Sequence, residues 1–253
     1  MTENTQPRYA IYYAPPAEGC LWRLAQQWLG RDCENGEALE QPALDGWSAA
    51  EIAAATASPR HYGFHATLKA PFRLAAGVRF AALETALADF AARRRPFFTP
   101  PLKVSAIGSF IAVTLSAPAP QMQGLADAAV QEFDHLRAPL TEAEIARRLK
   151  AGLTPRQEEL LRRWGYPYVQ EEFRFHMTLT GSLVAAKMGA ERRERLQSQL
   201  AALFRPVLAE PVPVGEICLY SQADGDSPFR LARRFGFGAA RTEGDPAQGQ
   251  MSA

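Results

Sequence analysis

Three cysteines in 253 residues, Cys20, Cys33 and Cys218, are too few and too scattered to staple the chain. Their odd number and the lack of metal-ligand spacing exclude a disulfide framework or a cysteine-based metal centre, and suit a reducing compartment. Charge of one sign is also missing. Lysine and arginine number 28 against 27 aspartates and glutamates, a net charge of +1. No global field recruits extended nucleic acid, so phosphate recognition must be local. No apolar run has the length of a membrane span. The polar residues 1–8 lead into Tyr9-Ala10-Ile11-Tyr12-Tyr13 without the basic segment and apolar stretch of a secretion signal. The expectation is a cytoplasmic chain without a membrane partner, long enough to bury its own core.

Histidine is scarce too, with four in the chain, and that scarcity makes the placement of two of them informative. Phe64-His65-Ala66-Thr67-Leu68 returns as Phe175-His176-Met177-Thr178-Leu179. In both copies apolar and polar residues alternate, the period of a β-strand with one buried face, so each histidine shares a face with the threonine two residues on. A single strand histidine is more often structural than functional. Structural histidines have no reason to recur with the same aromatic before and the same Thr-Leu after, so the pair reads as a site. By the same alternation Lys69 and Arg174 face the motif side, where each is either a phosphate contact or a solvated charge.

Along the chain, residues 8–14 read as a strand and 19–29 as a helix ended by Gly30. A second helix is expected after Ser48, stopping before Pro59. Beyond the first motif come a helix over 80–95, a hairpin over 103–107 and 110–116, and a helix over 125–136. Arg93-Arg94-Arg95 reads as a solvated helix end that complements the dipole. Two capping boxes, Thr141 with Glu144 and Thr154 with Gln157, announce short helices over 142–150 and 155–164. This pair carries Arg147, Arg148, Lys150, Arg156, Arg162 and Arg163; most are expected on an exposed face, with one or two overhanging the cleft. The second motif strand is expected over 172–183, a helix over 190–204, and strands over 212–220 and 229–235. From Ala239 a frayed, disordered tail is expected. The order predicts an α+β protein of two similar lobes, with a single bilobal domain over 7–238 and a helical insertion at about 141–165.

At these residues the sequence resembles the two-histidine (2H) phosphoesterase superfamily, whose hallmark is a pair of His-x-Thr/Ser-x motifs. His65-Ala66-Thr67-Leu68 and His176-Met177-Thr178-Leu179 both match. The longer stretches from Tyr62 to Phe72 and Phe173 to Gly181, with Leu153-Thr154-Pro155-Arg156-Gln157, are similar to a branch of uncharacterised proteins linked to phosphonate metabolism and often encoded beside carbon–phosphorus lyase genes. The resemblance implies a 2',5' RNA ligase-like fold, two pseudo-symmetric and mostly antiparallel sheets with outer helices and a central groove. It also implies hydrolysis of small cyclic phosphodiesters of ribose or nucleotides, or the joining and cleaving of 2',5' linkages, without a metal.

The residues themselves supply matching chemistry. Opening a cyclic phosphate needs a base on one side of phosphorus and an acid on the other, and an imidazole serves as either near neutral pH. Thr67 and Thr178 can bond the non-bridging oxygens. No acidic residue stands within either motif, so no metal or other cofactor is expected. The expected partner is a small phosphorylated substrate, with Lys69, Arg174, Arg156, Arg162 and Arg163 as candidate contacts, one of the last three taking a second phosphate. RNA processing of the 2',5' ligase kind, and a non-catalytic sensor of cyclic nucleotides or phosphosugars, remain alternatives. Which histidine is the base stays open at this point.

Overall fold

The computed structural model describes residues 6–150 and 152–238; the tail expected from Ala239 lies outside them. The chain is α+β. Its strands are β1 Arg8–Tyr13, β2 Ala66–Phe72, β3 Phe97–Phe98, β4 Leu102–Ile107, β5 Phe110–Leu115, β6 His176–Thr178, β7 Pro213–Val214, β8 Glu216–Gln222 and β9 Arg230–Gly236. The helices are α1 Cys20–Leu29, α2 Ala49–Tyr62, α3 Phe80–Ala92, α4 Pro120–Glu132, α5 Glu142–Leu149, α6 Pro155–Trp164 and α7 Ala190–Leu208. Seven strands form one antiparallel sheet in the order β4-β5-β6-β2-β1-β8-β9, and β3 pairs with β7 in a second, two-stranded sheet.

The interior strand β1 is buried on both faces from Ala10 to Tyr13, because helices and loops close over the side chains that alternation sends each way. Helix α4 packs on β2, α7 on β4, and α3 on β8 and β9. The two halves of the sheet, β4-β5-β6 and β2-β1-β8-β9, meet at the seam between β2 and β6, where a single register pair, Ala66 opposite Met177, joins them. Both residues are fully buried.

Two helices run further than expected. Helix α2 passes through Pro59 to Tyr62. A proline in a last turn lacks the N–H that would bond the carbonyl four residues back, and here that carbonyl, of Ala55, accepts instead from the N–H of Gly181 at 2.7 Å. The break in one helix ladder thus ties α2 to the turn after the second motif. Helix α7 likewise continues past Phe204 to Leu208, with Pro206 in its last turn. The second motif strand is shorter than expected, three residues, since Gln170–Glu172 form a 3-10 turn and Phe173 to Phe175 precede the strand without pairing. Both capping boxes of the helical pair are present, each with reciprocal bonds. Arg93 and Arg94 both pair with Glu132 at the surface, a solvated helix end.

Candidate functional site

The seam builds the site. Extending the antiparallel register from Ala66 and Met177 sets His65 opposite Thr178 and Thr67 opposite His176. Since Ala66 and Met177 point into the core, the flanking four side chains share the opposite face. The two histidines occupy diagonal corners of this quadrilateral, about 7–8 Å apart by sheet geometry. All four residues line one cavity of about 390 Å³.

Each imidazole is aimed by the same device. Nδ1 of His65 lies 2.9 Å from the carbonyl oxygen of Gly63, and Nδ1 of His176 lies 2.7 Å from that of Arg174. A carbonyl only accepts, so Nδ1 carries the proton in both rings, and in the neutral ring Nε2 keeps a free lone pair. Gly63 can present its carbonyl because it ends α2 at φ +79°, where a Cβ would lie 2.8 Å from that of Cys33. Only glycine fits that combination of backbone angle and close approach.

The two rings differ in surroundings. His65 lies against Tyr12 and near Tyr220. Burial pushes its pKa down to about 3, against a smaller upward pull from the Gly63 bond, and the facing His176 lowers it further. His65 is therefore neutral near pH 7. His176 sits beside Phe110, with ring centroids 5.7 Å apart. A neutral imidazole and a second imidazole at opposite corners of one cavity can take up and deliver protons on the two sides of one bound phosphorus.

A second cavity of about 500 Å³ adjoins the first, sharing Thr67, Tyr166 and His176. Arg174 lines it, alongside Phe110, Tyr168 and Phe173. Arg174 thus lines the neighbouring cavity, not the one that holds both motifs. Lys69 lines neither. Its Nζ bonds the carbonyl of Val130 at 3.0 Å and Asp134 at 3.1 Å, and the side chain is buried. The reason is a bulge: Tyr12 pairs with Thr67 but Ile11 with Lys69, so one step on β1 spans two on β2. Alternation fails there, and the lysine turns away from the motif face toward α4.

The helical pair does reach the cavities, but not through the arginines expected. Helix α6 buries Leu160 and Leu161, which turns Arg156, Arg162 and Arg163 outward. Arg156 pairs with Glu159 and Glu171, Arg162 with Glu158, and Arg163 lies over Trp164. Arg147 and Arg148 of α5 line the histidine cavity instead, with Tyr166 beyond α6 and Arg8 of β1. Sequence reasoning passed over Arg8 and Tyr12 although they share one face of β1 by their even spacing. The strand carries no motif that singled them out.

Among the described residues no three His, Cys, Asp or Glu side chains are grouped to hold a metal ion, and no helix is long and apolar enough to cross a membrane.

Two curated relatives carry the name ribose 1,5-bisphosphate phosphokinase PhnN. The one from Janthinobacterium sp. (strain Marseille) is 36% identical over 239 residues, which cover 94% of this chain and 52% of the relative. The one from Laribacter hongkongensis (strain HLHK9) is 38% identical over 226 residues, 89% of this chain and 51% of the relative. The chain spans about half the length of the curated relatives it matches. Among solved structures, E. coli LigT with NADP+ overlays at a TM-score of 0.38 and 14% identity, over 92% of this chain and 100% of that one. A protein described as a phosphoesterase gives 0.37 and 15%, over 92% and 98%. The family model described as a protein of unknown function, DUF1045, matches residues 67–230, a span that begins just after His65 and takes in the whole second motif, and the chain belongs to that family.

Proposed function

We propose that this chain is a two-histidine phosphoesterase that hydrolyses a small cyclic phosphodiester of ribose or of a nucleotide, without a metal. The observation that carries the reading is the seam pair Ala66 and Met177, which puts His65, Thr67, His176 and Thr178 on one face of one cavity.

In this reading neutral His65 is the base. Its Nε2 takes a proton from water as the water oxygen bonds to phosphorus. The ring P–O bond on the far side breaks, and the leaving alkoxide takes a proton from Nε2 of His176. The product is a phosphomonoester and a free hydroxyl, and proton exchange with solvent restores both rings. Thr67 and Thr178 donate to the non-bridging oxygens, where charge grows during attack. Holding water, phosphorus and both rings in line supplies the orientation.

A sugar substrate is favoured over RNA by two observations. The helical pair contributes Arg147 and Arg148 to the cavity wall, and Tyr166 follows it, which suits a compact ligand. The relatives' name concerns a ribose bisphosphate, and opening a ribose cyclic phosphate yields a ribose phosphomonoester of that chemical class. The test is ³¹P NMR of ribose 1,2-cyclic phosphate and a 2',3'-cyclic nucleotide incubated with the protein and chelator. Conversion to monoester supports the reading. Tight binding without turnover, or phosphorylation of ribose 1,5-bisphosphate by ATP with no cyclic phosphate opened, contradicts it.

A further inference from the structure

Three arginines, Arg8 of β1 and Arg147 and Arg148 of α5, differ from the others of the helical pair. Arg156 and Arg162 are neutralised by neighbouring carboxylates. Arg147 and Arg148 of α5 line the histidine cavity, and among the described residues no ion pair closes on either. Among the described residues Nη1 of Arg148 is buried without a hydrogen-bond partner. A buried, unsatisfied guanidinium N–H is costly to a fold unless a ligand completes it. Arg8 reaches the same wall from β1, its Nε donating to the neutral Gln222 at 2.7 Å. Among the described residues no aspartate or glutamate lines this cavity. The carboxylate that acts on Arg148, Glu144, is itself held by Arg73 at 2.7 Å, so the cationic wall beside the reaction site is open to a second anion.

We propose that Arg8, Arg147 and Arg148 hold a terminal phosphomonoester of the substrate, so that the cavity takes a sugar bearing both a cyclic phosphate and a second, non-reacting phosphate. This rests on the phosphoesterase reading for the reacting end and specifies the other. Guanidinium forks match phosphate oxygens in pairs. Three of them fix the sugar at one end, and the binding energy so gained holds the cyclic phosphate between His65 and His176. The wall is assembled from β1 and α5, so the helical pair sets substrate length as well as covering the site.

Two measurements test this separately from turnover. In the first, calorimetry compares ribose 5-phosphate with ribose as probes on the wild type, Arg147→Gln, Arg148→Gln and His65→Ala. The expected result is that the wild type binds only the phosphorylated sugar, that each arginine variant weakens it by about tenfold or more, the scale of a hydrogen bond to a charged group, and that His65→Ala retains it. Arg147 is exposed, so its variant stays informative if Arg148→Gln fails to fold. In the second, kcat/KM is measured for ribose 1,2-cyclic phosphate with and without a phosphate on the 5-hydroxyl. The wild type should prefer the phosphorylated form by about a hundredfold, and each arginine variant should cut that preference by about tenfold. Equal binding of ribose and ribose 5-phosphate, unchanged binding in both arginine variants, or loss of binding in His65→Ala alone overturns the proposal. Absence of turnover on every cyclic phosphate, with arginine-dependent binding intact, would remove the reaction and leave the phosphate site standing.

Discussion

The ring of Tyr12 lies flat against that of His65, with centroids 3.6 Å apart and planes within 10°. The contact shields one face of the imidazole from water, and burial is the main reason its pKa falls to about 3. The proposed base is therefore ready at any pH above that value, and the sequence alone does not distinguish it from its twin.

This asymmetry predicts the pH profile. The acid limb of kcat/KM, which reports the free enzyme, should lie well below the ordinary histidine value of about 6.5. Tyr12→Ala should let water reach His65 and move that limb upward, as should an NMR titration of the ring. An acid limb near 6.5 in the wild type would assign the base elsewhere.

The same shift sets acid stability. The folded pKa of His65 is depressed, so the unfolded chain binds the proton first as pH falls below about 6.5. Stability is unaffected by this group above that point and is lost progressively down to the folded value near 3. His65→Gln should flatten this part of the stability-versus-pH curve, measured by urea unfolding at stepped pH.

Gly63→Ala should destabilise the protein by about 1–3 kcal/mol, the scale of a residue forced into a disfavoured backbone region, because φ is +79° and the new Cβ meets Cys33 at 2.8 Å. Activity should fall further than stability explains, since the Gly63 carbonyl orients His65. Chemical denaturation and turnover of the folded fraction check both halves.

Lys69→Met should lower stability by about 1–3 kcal/mol, the scale of leaving a buried polar group unsatisfied, since Asp134 keeps its pair with Arg137. It leaves Asp134 without its Lys69 contact and the Val130 carbonyl without a donor. Denaturant unfolding measures it, and an unchanged midpoint would show that the lysine carries no structural role.

What was legible in the sequence was whatever repeats or caps. The hairpin and both capping boxes of α5 and α6 are local patterns with local physical causes, and they stand where the pattern set them, while the paired motifs meet on adjacent strands of which the second is shorter than its alternation suggested. What failed were inferences that needed a neighbour. Lys69 follows the alternation of its own strand on paper, but the bulge opposite Ile11 turns it over. Pro59 reads as a helix stop, yet Gly181 supplies the donor that Ala55 would otherwise lack. Arginine type and position did not tell Arg148 from Arg162, because the carboxylate that neutralises one of them depends on which helix face turns inward.

The two histidines acting as a pair are the centre of the proposed reaction. Hydrolysis of ribose 1,2-cyclic phosphate, followed by ³¹P NMR for the wild type, His65→Ala and His176→Ala in the presence of chelator, measures it. The expected result is chelator-resistant conversion to monoester by the wild type, with a loss of about 10²–10⁴-fold in each alanine variant, the range for a general acid or base. Thr67→Val and Thr178→Val should lose less. Conversion that either alanine variant retains, or that chelation abolishes and a divalent ion restores, would contradict it.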